Sequence, residues 1–265
     1  MSKICDLPIE IYGEIVQYVD DIRDLHGLLF VSRIFHYEAE RRLYGSFEVT
    51  LSHKDRHTES LRSLSNNPSI ATQLRCLDLF GVRDSDGPAC TPPDDPWIYL
   101  LPQAFRSLNN LKDLRLPLKH SSGFVPPSSV TFRLEVFRCT TYFESRPLES
   151  MVPFLTVQDT IQTLIEDGAT DNVKEGLPAR CLPNLMRLCA WPAVAQMLLP
   201  NRSIKYLFLQ QDIDQAWEAG IAQSVEYLAA ISIAFIRNSA ASFPALKYLE
   251  IGEAVSTEPD LTPHH

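Results

Sequence analysis

One short phrase recurs along the chain and constrains its fold more than any other feature. It consists of an aliphatic residue, two variable residues, a second aliphatic residue, one variable residue and a third aliphatic residue. Clear copies lie at 74–79 (LRCLDL), 108–116 (LNNLKDLRL), 182–190 (LPNLMRLCA), 204–209 (IKYLFL) and 243–251 (FPALKYLEI), with weaker copies at 134–139 and 161–166. The alternation inside each copy predicts a short strand with one buried face.

The spacing of the copies indicates a repeat protein. Their central residues are Leu77, Leu114, Phe137, Leu164, Leu188, Leu207 and Leu249, separated by 37, 23, 27, 24, 19 and 42 residues. The inner four spacings lie at or near the range of about 20 to 29 residues that is typical of leucine-rich repeats. Residues 47–252 therefore resemble a degenerate leucine-rich repeat domain, which implies an irregular solenoid with a parallel sheet. An α/β domain of another topology is the alternative.

Two features of this region favour a short, irregular arc. The Asn or Cys that the repeat family places shortly after each strand is absent in most copies. The two long spacings hold insertions, which are a stretch rich in Pro and Asp at 83–97 and an expected helix at 214–237. The proposed helix carries an apolar face, formed by Trp217, Ile221, Leu228, Ile231 and Phe235. Residues 47–51 alternate and predict a first strand, and the last copy would form an exposed sheet edge.

The first 46 residues have the pattern of a separate helical unit. Asp6 is a suitable N-cap for a first helix, and Asp21 for a second. Three apolar stripes follow at helical spacing, namely Ile11, Ile15 and Val19, then Leu25, Leu28 and Leu29, then Val31, Phe35, Ala39 and Leu43. A unit of about 40 residues is close to the lower limit for an independent core. Part of its apolar surface is therefore expected to contact another domain or a partner.

The same stretch resembles an F-box. The residues that match the family pattern in order are Leu7, Pro8, Glu10, Ile11, Ile15, Asp24, Leu25, Val31, Ser32, Arg33, Phe35, Leu43 and Tyr44, with Phe35 in place of the commoner Trp. The resemblance implies docking on a Skp-type adaptor and, through it, on a cullin. It also implies the contacting residues, which are Leu7, Pro8, Ile11, Ile15, Leu25, Leu28, Val31, Ser32 and Phe35. An F-box followed by irregular leucine-rich units is similar to the large F-box-like families of mushroom-forming fungi.

Charge and composition restrict the possible partners and the compartment. The formal net charge is −9, which argues against a protein that binds nucleic acid through its phosphate backbone. No apolar run is long enough to span a membrane, and no secretory signal is visible. The six cysteines form no Cys-x-x-Cys pair and are expected to be reduced. Cytoplasm or nucleus is the expected location, and 253–265 is expected to be a disordered tail.

The sequence contains none of the familiar catalytic motifs. Gly-rich phosphate loops, the G-x-S-x-G elbow and the H-E-x-x-H zinc motif are all absent. His53 and His57 lie four residues apart but have no third metal ligand at a known spacing. We therefore expect neither an enzyme nor a metal or cofactor site.

The sequence leads to three functional hypotheses. The first is a substrate-recognition adaptor of a Skp–cullin–F-box ubiquitin ligase, in which 1–46 dock the adaptor and 47–252 bind a target protein. The second is a scaffold that binds the adaptor without delivering a target, and the third is an enzyme with an unrecognised site. Candidate target contacts alternate with the buried aliphatic residues, and they are Arg75, Asp78, Lys112, Arg115, Lys205, Phe208, Lys247 and Glu250.

Overall fold

A computed structural model gives the architecture of most of the chain. It describes residues 8–50, 54–80, 96–118, 125–141, 147–167, 177–210, 217, 221–230 and 242–251. Leu7, His53, most of the Pro- and Asp-rich stretch and the expected tail at 253–265 lie outside these residues. In the described part of the chain, no helix is long and apolar enough to cross a membrane.

The N-terminal unit consists of the three expected helices. They are α1 (Ile9–Gln17), α2 (Ile22–Leu28) and α3 (Arg33–Gly45), and both α1 and α2 pack against α3. Asp21 caps α2 as predicted, because its carboxylate accepts a hydrogen bond of 2.8 Å from the Arg23 amide. The Ser32 hydroxyl accepts a hydrogen bond from the Phe35 amide and caps the start of α3. Val31 therefore precedes this helix and does not belong to its apolar stripe.

In the described residues after this unit there are nine parallel strands, and they pair in the order in which they occur along the chain. They are β1 (Ser46–Thr50), β2 (Cys76–Phe80), β3 (Asp113–Leu118), β4 (Val136–Thr141), β5 (Thr163–Glu166), β6 (Arg187–Ala190), β7 (Tyr206–Leu209), β8 (Tyr227–Ala230) and β9 (Tyr248–Ile251). All seven copies of the phrase form strands, and 47–51 corresponds to β1. The fold class is therefore α/β, with a helical unit followed by a parallel sheet that is consistent with a leucine-rich-repeat-like region.

The sheet has a ladder of buried aliphatic side chains at its centre. Strand pairing aligns the middle residues of successive strands. Leu77, Leu114, Phe137, Leu164, Leu188, Leu207 and Leu228 occupy this row, and each is 0% exposed. Leu249 holds the same place in β9 but is 44% exposed. In the described chain, β9 is thus the open edge that the sequence predicts.

The expected helix at 214–237 is wrong, because residues 227–230 form β8. The segment from Val225 to Ala230 repeats the aliphatic phrase, and its strand pairs with both β7 and β9. The apolar residues of this segment also fit a helical period. As a strand, however, the segment forms hydrogen bonds with both β7 and β9, and a helix would leave the backbone groups of those two strands without these partners. The strand divides the longest spacing into two intervals of 21 residues, Leu207 to Leu228 and Leu228 to Leu249.

Short helices and turns connect the strands and pack on the side of the sheet that carries the buried aliphatic ladder. The helices are α4 (Lys54–Asn66), α5 (Pro68–Gln73), α6 (Pro96–Ser107), α7 (Pro147–Ser150), α8 (Val152–Val157) and α9 (Pro192–Leu198). Phe105, Phe132, Phe154 and Phe137 form a chain of edge-to-face aromatic contacts, with ring centroids 5.5–6.5 Å apart. One continuous core connects the repeats from Val49 to Phe243.

Polar side chains of several kinds join neighbouring repeats. The residue just before the first aliphatic position of a repeat donates to a backbone carbonyl of the preceding repeat. Asn110 donates to Thr72 at 2.6 Å and Asn184 to Asp159 at 2.7 Å. Thr160 and Ser224 make the equivalent bonds with hydroxyl groups. These varied donors act between repeats that lack the regular Asn or Cys of the family pattern.

Arg202 is a buried cation that holds an irregular segment in place. Its side chain donates to the carbonyls of Leu177, Pro178, Cys181 and Leu198 at 2.9–3.4 Å, and the residue is 7% exposed. Burial lowers the pKa of the guanidinium group from its ordinary value, but arginine stays charged in proteins. The Pro178 carbonyl also accepts a hydrogen bond of 2.9 Å from the Cys181 amide, so Arg202 adds to the local backbone bonding of this segment.

Arg202→Lys is expected to lower the free energy of unfolding by about 1–2 kcal/mol, because an ammonium group cannot reach all the carbonyls that the planar guanidinium binds. Urea unfolding followed by circular dichroism measures the effect. Arg133→Lys is the matched control, since that side chain is half exposed and pairs with Asp159 at 3.8 Å. Equal stability of the Arg202 variant and the control would show that the buried hydrogen bonds contribute little.

Candidate functional site

Among the described residues, the largest concentration of exposed apolar side chains lies on the helical unit. Fifteen large hydrophobic side chains are exposed among the described residues, and eight of them lie between Ile9 and Tyr37. The eight are Ile9, Ile11, Ile15, Tyr18, Ile22, Phe30, Val31 and Tyr37, with exposures of 40–88%. A cluster of this kind on a small unit is typical of a protein-binding surface.

The two sides of α1 have different environments. Because an α-helix turns by about 100° per residue, Ile11 and Ile15 fall on the side opposite Gly13 and Val16. Gly13 and Val16 are buried toward α3, whereas Ile11 and Ile15 are 41% and 40% exposed. Helix α1 is therefore held by one side and presents the other.

The turn between α2 and α3 projects two further apolar side chains. Phe30 is 88% exposed and Val31 is 62% exposed. The turn is fixed by His36, whose ring Nδ1 lies 2.8 Å from the Leu29 carbonyl and whose amide donates to the Ser32 carbonyl. The backbone that carries these side chains is therefore held in place before any partner binds, which lowers the entropic cost of association.

The structure places the nine predicted docking residues in different environments. Pro8, Ile11, Ile15, Val31 and Ser32 are exposed, and Leu28 and Phe35 are partly buried. The Phe35 ring contacts the Tyr12 ring edge to face, at a centroid distance of 5.0 Å. Leu25 is only 6% exposed and lies inside the unit, where it supports the surface rather than forming it. Leu7 is outside the described residues.

The eight predicted target-binding residues fall into two rows. Asp78, Arg115, Phe208 and Glu250 occupy one row across the exposed face of the strands. Arg75, Lys112, Lys205 and Lys247 each lie immediately before a strand, at the edge of the sheet, and all four are exposed. The structure thus brings Asp78 and Arg115 together, but it separates the four cations from them.

A network of charges covers the exposed face of β2 to β4. Arg115 lies 3.5 Å from Asp78 and 4.0 Å from Asp167, and Arg138 lies 3.3 Å from Asp113. Burial raises the pKa of the Asp78 carboxyl to about 6, and the positive charge of Arg115 opposes part of that rise. The Asp78 Oδ1 atom is buried and has no hydrogen-bond partner among the described residues, in agreement with the direction of the shift.

The raised pKa of Asp78 predicts a pH dependence of stability. Its ordinary value is 3.8, so folding favours the protonated carboxyl, and this contribution is lost as the pH rises from about 4 through 6. Asp78→Asn cannot ionise and is therefore expected to gain stability relative to the wild type between pH 4 and pH 7.5. The urea midpoints of both proteins at the two pH values test this. A difference that is independent of pH, or of the opposite sign, contradicts it.

An aromatic cluster on β7 and β8 combines Phe208, a predicted target contact, with Tyr206 and Tyr227, which the sequence analysis did not name. The Tyr227 ring lies 6.1 Å from that of Tyr206 and 5.4 Å from that of Phe208, and the Arg187 guanidinium stands 5.3 Å over Tyr206. The Tyr227 hydroxyl donates to Glu250. The sequence did carry a signal, since Tyr206, Tyr227 and Tyr248 recur at intervals of 21 residues in the same position of three repeats.

Neither the buried cysteines nor the metal-ligating residues form a reactive centre in the described part of the chain. Burial raises the pKa of the Cys189 thiol to about 11 and also raises the pKa of the Cys139 thiol, which makes both less nucleophilic. In the part of the chain that the structure describes, no group of three or more His, Cys, Asp or Glu residues is placed to hold a metal ion. The exposed apolar surface and the sheet face are therefore the candidate sites.

A comparison with known protein families supports the resemblance of the N-terminal helices to an F-box. Residues 4–85 match a family model described as the COS11 F-box domain, named F-box_COS111. The match extends beyond the three helices to include β1, α4, α5 and β2. No curated protein matches the chain. The chain therefore carries an F-box domain of the COS111 type at residues 4–85, and a parallel-sheet region continues beyond it.

Proposed function

We propose that this chain is the substrate-recognition subunit of a Skp–cullin–F-box ubiquitin ligase. The observation that carries the proposal is the exposed apolar surface on α1 and on the turn before α3, within a matched F-box domain. An F-box domain suggests binding to a Skp1-type adaptor. Fixed apolar side chains surrounded by polar residues are the features expected of a stable docking surface.

The proposed role is recruitment and not catalysis. F-box adaptor proteins are generally non-catalytic, and the chain matches no catalytic family. A subunit that holds both the adaptor and a target raises the effective concentration of the target near the ligase. F-box proteins are typically intracellular, so we assign the chain to the cytoplasm or nucleus.

The proposal assigns target binding to the exposed face of the sheet in residues 47–252, and adaptor docking to 1–46. This face combines the aromatic cluster of β7 and β8 with the charge network of β2 to β4. Aromatic and arginine side chains contribute a large share of the energy in protein interfaces. Tyr206 and Tyr248 are 41% and 66% exposed, so their rings are available to a partner.

Two variants, one in each surface, test this division of labour. Ile11→Asp/Val31→Asp alters the docking surface, and Tyr206→Ser/Tyr248→Ser alters the sheet face. In cells, the docking variant is expected to lose adaptor and cullin. The face variant is expected to keep both and to lose a third protein, whose abundance rises when the docking variant replaces the wild type. If no captured protein depends on the tyrosines and changes in abundance, the chain is a scaffold and not a substrate adaptor.

A further inference from the structure

A cleft between the helical unit and the start of the sheet has an unusual charge for this chain. It has a volume of about 270 Å³, and its lining includes Gly13, Val16, Glu38, Arg41, Arg42 and Arg75. The lining contains three guanidinium groups and one carboxylate, whereas the whole chain carries a net charge of −9. The excess positive charge is therefore a local feature and not a general property of the surface.

The charges inside the cleft do not balance one another. Arg41 Nη2 lies 2.7 Å from Glu38 Oε2, and Glu38 is 7% exposed, so this arginine neutralises a buried carboxylate. Arg42 contacts Asp20 at 3.7 Å, but the Asp20 side chain is 98% exposed, where an ion pair contributes little. Two guanidinium groups, those of Arg42 and Arg75, thus supply the surplus charge.

The backbone that carries these arginines is fixed. Arg42 lies in the last turn of α3, and the Arg75 amide donates to the Gly45 carbonyl at 2.8 Å. This hydrogen bond joins the end of α3 to the residue that precedes β2. The side chains of Arg41 and Arg42 are 38% and 36% exposed, and Arg75 is exposed, so all three are partly accessible to a ligand.

We propose that this cleft binds a phosphoryl group. Its net charge of two positive units matches the charge of about −1.5 to −2 that a phosphoryl group carries at neutral pH. Planar guanidinium groups bind the oxygens of phosphate through paired, charge-assisted hydrogen bonds. A carboxylate has half the charge and fewer acceptor atoms, so it fits the cleft less well.

The site is separate from the adaptor-docking surface. Gly13 and Val16 line the cleft, and they lie on the side of α1 opposite Ile11 and Ile15. A phosphoryl group in the cleft would connect α3 with the segment before β2. The inference rests on this geometry alone and holds whether or not the chain binds an adaptor.

Calorimetric titration of the whole chain with inorganic phosphate, at constant ionic strength, tests the proposal. Saturable binding is expected for the wild type, with acetate binding more weakly. Arg42→Gln/Arg75→Gln is expected to bind phosphate about tenfold or more weakly, because charge-assisted hydrogen bonds are lost. Arg133→Gln, a surface arginine outside the cleft, is the control and should bind as the wild type does. Circular dichroism verifies the fold of each variant.

Two results would overturn the proposal, namely the absence of saturable phosphate binding to the wild type and equal affinity of all three proteins. A second arm identifies the source of the group by replacing phosphate with a short phosphoserine peptide and its unphosphorylated form. Tighter binding of the phosphopeptide than of free phosphate would support a phosphorylated protein segment as the source. Equal or weaker binding of the phosphopeptide would support the free ion.

Discussion

Ile11→Asp/Val31→Asp is expected to weaken binding to a purified Skp-type adaptor by about 100-fold, because each change places a charge in a desolvated apolar contact. Both side chains are well exposed in this structure, at 41% and 62%, so neither contributes much to the core. Ile11 lies in the first turn of α1, where a carboxylate favours the helix dipole. The fold is therefore expected to survive the substitutions.

Calorimetry or surface plasmon resonance with the purified adaptor measures this loss. Glu14→Gln is the matched control, since Glu14 is an exposed polar residue of the same helix. The control should bind as tightly as the wild type, and the urea midpoint of the double variant should remain close to that of the wild type. Undiminished affinity of the folded double variant would show that this surface is not where the adaptor docks.

Leu164→Ala is expected to lower the free energy of unfolding by about 2–5 kcal/mol, the usual cost of a cavity at a buried leucine. Leu164 lies in β5, near the middle of the sheet, and is 0% exposed. Its neighbours in the ladder, Phe137 and Leu188, are equally buried. Few rearrangements can therefore fill the space that the substitution leaves.

Leu249→Ala provides the control for this effect, because the same side chain is removed from the same row of the ladder. Leu249 lies in the edge strand β9 and is 44% exposed, so its truncation is expected to cost less than about 1 kcal/mol. Urea unfolding measures both values. Equal costs at the two positions would contradict the description of β9 as an open edge.

The repeated phrase was sufficient to predict most of the sheet. In each copy the second and third aliphatic residues are two positions apart, which directs both to the same side of a strand, as the buried Leu77 and Leu79 of β2 illustrate. The caps of the N-terminal helices were partly predictable for a similar local reason. Asp21 binds an amide two residues away, and this interaction depends on little beyond the local chain.

The error at 214–237 shows the limit of periodicity. Trp217, Ile221 and Leu228 fit a helical period, whereas Val225, Leu228 and Ala230 fit the strand phrase. The pairing of β8 with β7 and with β9 decides between them, and it involves residues about 20 positions away along the chain. Local sequence does not contain that information.

The candidate sites were predictable only in part. The proposed docking residues on α1 follow from a motif that lies in one stretch of sequence. The cleft requires Arg42 and Arg75, which come from different elements and meet because the Arg75 amide binds the Gly45 carbonyl. The charge network likewise joins Arg115 to Asp167, 52 positions apart in sequence. Such groupings exist only after the sheet has formed.

The central claim is that the chain joins a Skp-type adaptor, and through it a cullin, to the sheet that binds a target. Size-exclusion chromatography with light scattering, on a mixture of purified chain, adaptor and the adaptor-binding part of the cullin, tests this claim most directly. We predict a single species with the mass of one copy of each component, and its loss when Ile11→Asp/Val31→Asp replaces the wild type. Elution of the chain apart from an intact adaptor–cullin complex would contradict the account.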